Sequence, residues 1–217
     1  MRILMPFLIF SGFMPLRMEA QEMGDSSLYN PGLRMFRQAR SADEYVSAAD
    51  YFDALRSHKP AQWLEYYYAA LCYIKASYKV ESNKTKDALM DKAQPCIDKA
   101  FGLKPEEPEL WALQAFLYQS RIQVNPEIRG LSYSMKADAE LKKATAADDG
   151  NPRAWSLMGY NVYHTPDVIG GGAQKALPLF LKAQDRYHTF RPVFPFLPGW
   201  GEPENQHMID ECKKAMK

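Results

Sequence analysis

Three eight-residue stretches of the chain open alike: YYYAALCY at 66–73, WALQAFLY at 111–118 and WSLMGYNV at 155–162. Each begins with a large aromatic (Tyr66, Trp111, Trp155) and carries a small residue four places later (Ala70, Ala115, Gly159). On an α-helix, residues i and i+4 share a face, so the small residue lets a second helix approach beneath the aromatic. A second pattern follows each opening. Ala93, Ile97 and Ala100 are spaced four and three apart, as are Ala137, Leu141 and Ala144, and Ala176, Phe180 and Ala183. Upstream, Ala48, Phe52 and Leu55 match with Leu in the last place. Small and bulky residues alternating on one helix face interlock with the preceding helix. The chain is therefore expected to form helix hairpins, and no stretch of useful length alternates with the period of a strand.

The hairpins are also in phase. Pro60 to Tyr66, Pro105 to Trp111 and Asp149 to Trp155 are all six residues. In these features residues 43–187 resemble the tetratricopeptide repeat, a helix-turn-helix unit of about 34 residues. The resemblance implies an all-α, TPR-like stack of antiparallel helix hairpins with a C-terminal capping helix. Here the openings recur at 45 and 44 residues, so each repeat carries a long insertion. The extra residues are expected to lengthen the first helices or the turn between the two helices.

The resemblance further implies a concave surface lined by first helices. The residues placed there are Tyr67, Leu71 and Ile74, then Ala112, Phe116 and Gln119, then Ser156, Tyr160 and Tyr163. This set is aromatic and nearly uncharged, unlike the Lys/Asn/Arg clamps with which some members of the family grip a peptide carboxylate. An apolar, Tyr-rich surface suits a hydrophobic partner or ligand. The implied function is a non-catalytic protein-interaction scaffold with a protein or peptide partner. The alternative is a small apolar-ligand-binding accessory subunit of a solute transport system. Either way, the groove is open or is filled by the C-terminal segment.

Helix signals refine the map. Ser41 with Glu44 forms a capping box opening a helix that reaches about Arg56. First helices are expected at 61–78, 108–122 and 152–163, and second helices at 86–101, 131–146 and 173–187. Pro95 and Pro178 fall inside two of these second helices, which must start late or kink. Residues 190–203, FRPVFPFLPGWGEP, hold four prolines and four large aromatics. They read as an extended segment laid over the last helix pair. A closing helix is expected over 204–216, covering the exposed end of the array.

Residues 1–20 have the layout of a secretory signal peptide: Arg2, an apolar run from Ile3 to Met14, and a candidate cleavage point after Ala20. The run is too short to span a bilayer, which takes about 20 apolar residues. With the long insertions and Thr165-Pro166 followed by Gly170-Gly171-Gly172, this start resembles small exported tetratricopeptide-type proteins of Bacteroidota, which implies a periplasmic or secreted chain.

Lys plus Arg total 27 and Asp plus Glu 26, a net +1, which excludes binding of nucleic acid or anionic membranes by bulk charge. Cys72, Cys96 and Cys212 form no CxxC, and the first two lie in helical apolar patterns, where a thiol is a small core residue. No helical zinc pair, GxSxG or P-loop is present, so no catalytic residue, metal or cofactor is expected. One anion site is conceivable. Gly170, Gly171 and Gly172 precede a helix whose free N–H groups could hold an anion, with Arg129 nearby for a bidentate contact.

Overall fold

The computed structural model describes residues 26–56, 62–192, 194 and 196–217. The expected signal peptide, with its cleavage point, and Pro60 lie outside the described residues. Among the described residues nine α-helices follow one another: α1 Tyr29–Gln38, α2 Ala42–Leu55, α3 Trp63–Ser77, α4 Asn83–Leu103, α5 Pro108–Ile122, α6 Pro126–Ala147, α7 Pro152–Tyr163, α8 Ala173–Thr189 and α9 Glu202–Ala215. No strand occurs among the described residues. Pairs α1/α2, α3/α4, α5/α6 and α7/α8 form four stacked hairpins, and α9 packs on α8.

The small-large code is read by the core as expected. Ala93, Ile97, Ala100, Ala137, Leu141, Ala144, Ala176, Phe180 and Ala183 are all buried, as are Ala48, Phe52 and Leu55. Gly159 shows why the small position matters. A Cβ there would sit 2.7 Å from the Phe180 ring. Gly159→Ala is expected to lower stability by about 1–3 kcal/mol through overpacking, although alanine favours helix. Urea denaturation checks this; an unchanged midpoint would mean that Phe180 yields freely.

Local chemistry sets the ends. Ser41 accepts from the Glu44 amide at 3.3 Å while Glu44 accepts from the Ser41 amide at 3.0 Å, a complete capping box. Pro108, Pro126 and Pro152 open their helices, where a missing N–H is harmless. Asn125 and Asn151 cap two of these, accepting from Ile128 N at 3.2 Å and Arg153 N at 3.0 Å.

Two expectations are corrected, and one of two alternatives for the prolines falls away. The insertions lengthen the second helices rather than the first: α4 and α6 run 21 and 22 residues against 15 each for α3 and α5. Only in the last hairpin do they widen the turn, where a 3-10 helix forms at Asp167–Ile169. Helices α4 and α8 do not start late, but run through Pro95 and Pro178. Just before Pro95, Arg121 braces the helix, donating to the Met90 carbonyl at 3.3 Å and pairing with Asp91 at 2.9 Å. Finally, the segment after α8 is not laid over the last pair alone. Phe196 stacks on Tyr29 of α1 with centroids 5.0 Å apart, and the Tyr68 hydroxyl donates to the Phe196 carbonyl at 2.8 Å. The chain thus loops back across the first helices as a strap before α9.

Candidate ligand-binding site

Beneath the strap lies a buried polar chain. Arg153, at the start of α7, grips Glu109 of α5 with both arms, Nε to Oε2 at 2.7 Å and Nη2 to Oε1. Asn151 donates to Glu109 Oε1 at 2.9 Å and the Tyr67 hydroxyl donates to Oε2 at 3.4 Å. Trp200 Nε1 then donates to the Tyr67 hydroxyl at 2.8 Å. One connected network therefore ties three successive first helices to the strap.

This placement revises the expected concave surface. Tyr67, Leu71, Ile74 and Ala112 are completely buried, because the neighbouring helices and the strap cover them. Ser156 is buried as well. Gln119 is half-buried, and its amide is engaged with the Leu157 carbonyl at 2.8 Å, a tie between α5 and α7. The N-terminal part of the groove is therefore filled by Phe194, Phe196, Leu197 and Trp200.

The remaining candidates gather at the opposite end of the groove, near the hairpin turns. Tyr78, at the end of α3, keeps 49% of its surface exposed. It stacks on Phe116 at 6.1 Å, and Phe116 stacks on Trp200 at 5.3 Å. The Nζ of Lys75 lies 5.6 Å from the Phe116 centroid and 5.7 Å from that of Trp200. It also pairs with Glu204 of α9 at 2.8 Å. Burial works to raise the Glu204 carboxyl, but Lys75 outweighs it and holds the group below its usual range. From α7 come Tyr160, Tyr163 and His164. Burial, with Glu204 and Tyr78 nearby, pushes the Tyr160 phenol up to about 12. His164 is exposed, stacked with Tyr160 at 6.4 Å and edge-on to Tyr163 at 5.1 Å. Desolvation holds its imidazole below the ordinary value, so it is neutral at neutral pH. The mouth is thus a shallow surface of aromatic faces with one lysine on its edge and one imidazole beside it.

At the expected anion site the three glycine amides are already engaged. Gly170 N, Gly171 N and Gly172 N donate to the carbonyls of Asp167, Pro166 and Val162 at 3.0, 3.1 and 2.9 Å. A Cβ on Gly172 would meet the Asp167 carboxylate, which already occupies that space. Arg129 is fully engaged elsewhere, bidentate to Asp87 at 2.6 and 2.8 Å. An open depression of about 480 Å³ lies between α3 and the C-terminal end of α4, lined by Tyr66, Asp98, Lys99, Gly102 and Leu103, and shares none of the expected residues.

No protein-family model and no curated protein matches the chain. Among solved structures, the chain is similar to the HusA haemophore from Porphyromonas gingivalis. Identity is 26%, the TM-score is 0.80, and the match covers 91% of this chain and 96% of that one. That protein is a binding rather than a catalytic one. No helix among the described residues is long and apolar enough to cross a membrane. The described residues also contain no group of three or more His, Cys, Asp or Glu side chains able to hold a bare metal ion. The three thiols are free; burial drives Cys72 upward and Cys96 up to about 11, which leaves them inert as nucleophiles.

Proposed function

We propose that this chain is an exported, non-catalytic binding protein whose ligand is flat, aromatic and carboxylate-bearing, of the haem type. The observation that carries this reading is the Tyr78–Phe116–Trp200 ladder, edged by Lys75 and flanked by Tyr160 and His164. Aromatic faces suit a planar macrocycle, Lys75 suits its carboxylates, and phenols or an imidazole suit its iron. The donor set thus fits haem as cargo. The whole-length likeness to a haemophore supports the same reading. Export rests on residues 1–20 acting as a cleaved signal peptide, with 21–189 the helical array and 190–217 the strap and capping helix.

Titration of ferric haem followed at the Soret band tests this. Saturable binding of one ligand per chain is expected. Phe116→Ala combined with Tyr160→Ala is expected to weaken it more than about tenfold, since anchor residues contribute about 2 kcal/mol or more. Unchanged affinity would place the ligand elsewhere.

A second reading, the tetratricopeptide-type interaction scaffold, is favoured by one separate feature. Ile128, Leu131 and Met135 share a face of the lengthened α6 and are 78%, 73% and 65% exposed. Replacing all three with Ser is expected to remove any envelope cross-link to a protein partner and to leave haem binding intact.

A further inference from the structure

Resting on the haem-type reading above, we propose that His164 is the side chain that ligates the metal of the ligand held at this mouth. A bound macrocycle presents its metal to whichever donor the surrounding surface offers. Four side chains qualify here: the hydroxyls of Tyr78, Tyr160 and Tyr163 and the imidazole of His164. A phenol ligates as phenolate, so it must first lose its proton. The Tyr78 hydroxyl is engaged with Ser120 Oγ at 3.0 Å. Tyr160 has its ring edge-on to Phe180 at 5.5 Å, packed on the α8/α9 core cluster. Tyr163 has its ring packed on the α8/α9 core cluster. A neutral imidazole needs no proton loss, since it already carries a lone pair on one nitrogen.

The position of His164 is as suitable as its chemistry. It caps the C-terminal end of α7, one turn beyond Tyr160, with the Tyr163 ring edge-on at 5.1 Å and the Tyr160 ring parallel at 6.4 Å. Its imidazole makes no side-chain hydrogen bond among the described residues. The other described histidines are placed differently. His188 shares a hydrogen bond with Gln184 at 3.0 Å on α8, and His207 is on the exposed face of α9.

The experiment compares the full chain with His164→Ala, using ferric haem and metal-free protoporphyrin as probes. With ferric haem, His164→Ala is expected to shift the Soret band and weaken binding at least tenfold. Added imidazole is expected to restore the wild-type spectrum, because it fills the vacated ligand position. With metal-free protoporphyrin, affinity is expected to be unchanged, which separates ligation from a packing role. Circular dichroism and thermal melting identical to the parent confirm that the variant folds, as suits an exposed side chain. A His164→Ala spectrum identical to that of the parent overturns the ligation proposal and leaves the carrier reading standing. Failure of the parent chain to bind either probe overturns both.

Discussion

Replacing Glu109 with Ala is expected to lower stability by about 3–5 kcal/mol, because it strands a buried charge. Arg153 is completely buried and sits at the first turn of α7, where the helix dipole already disfavours a cation. Burial works against its charge, yet Glu109 outweighs burial and keeps the guanidinium protonated. Phe190 covers the guanidinium from one side, its centroid 4.6 Å from Cζ, and Nη1 has no hydrogen-bond partner among the described atoms. Little else could take over from the carboxylate. Asn151 and Tyr67 would lose their acceptor at the same time. The double variant Glu109→Leu with Arg153→Met removes both charges and is expected to recover most of the loss, since apolar replacement of a buried pair is often neutral. Urea unfolding of the two singles and the double closes the cycle. A Glu109→Ala variant within 1 kcal/mol of the parent would show that water reaches Arg153.

Much of this architecture is legible in the sequence, and the unread part has identifiable causes. Hairpins announce themselves where a helix face must mesh with another, because Ala93, Ile97 and Ala100 leave no choice of face. The N-terminal turns of α4 and α6 give no such signal, since few of their side chains enter the core. They are held by caps, with Ser82 accepting from Thr85 N at 3.3 Å and Asn125 from Ile128 N, and by the Arg129–Asp87 clamp between the two helices. The Glu109–Arg153 pair is hidden by a separation of 44 residues. One cue does exist: an arginine directly after the opening proline opposes the helix dipole and asks for a buried partner. Register supplies it, for Glu109 also directly follows an opening proline one repeat earlier. At the site, Phe116 and Tyr160 are readable from the repeat. Tyr78, Lys75, Trp200 and His164 are not, because the strap that brings Trp200 to Phe116 crosses the stack in a direction no periodicity encodes. No motif marks the proposed haem-type ligand either, as a macrocycle needs scattered aromatic faces rather than a fixed spacing.

That strap is where stability and binding meet, and Trp200→Ala is expected to impair both. The indole packs against Phe116 and donates to the otherwise buried Tyr67 hydroxyl, while the Trp200 carbonyl accepts from the Tyr187 hydroxyl at 3.3 Å. Truncating a large aromatic in such a setting removes about 3–5 kcal/mol of stability. The loss should be local in its first effects. Phe194 and Phe196, stacked at 5.4 Å, hold the strap's other end against Tyr29 and Tyr68, so the strap stays anchored there while its Trp200 end opens. Hydrogen exchange is expected to rise at residues 197–201 and the start of α9 before the core of α3 responds. Haem-type binding should weaken about thirtyfold, the equivalent of roughly 2 kcal/mol for a central anchor. Trp200→Phe separates the two contributions. It keeps an aromatic face for Phe116 and Lys75 but drops the bond to Tyr67, so it should lose about 1 kcal/mol of stability and retain most of the affinity. If Trp200→Ala destabilises the chain yet binds haem as tightly as the parent, the ladder's third ring belongs to the strap alone, and the ligand rests on Tyr78, Phe116 and α7.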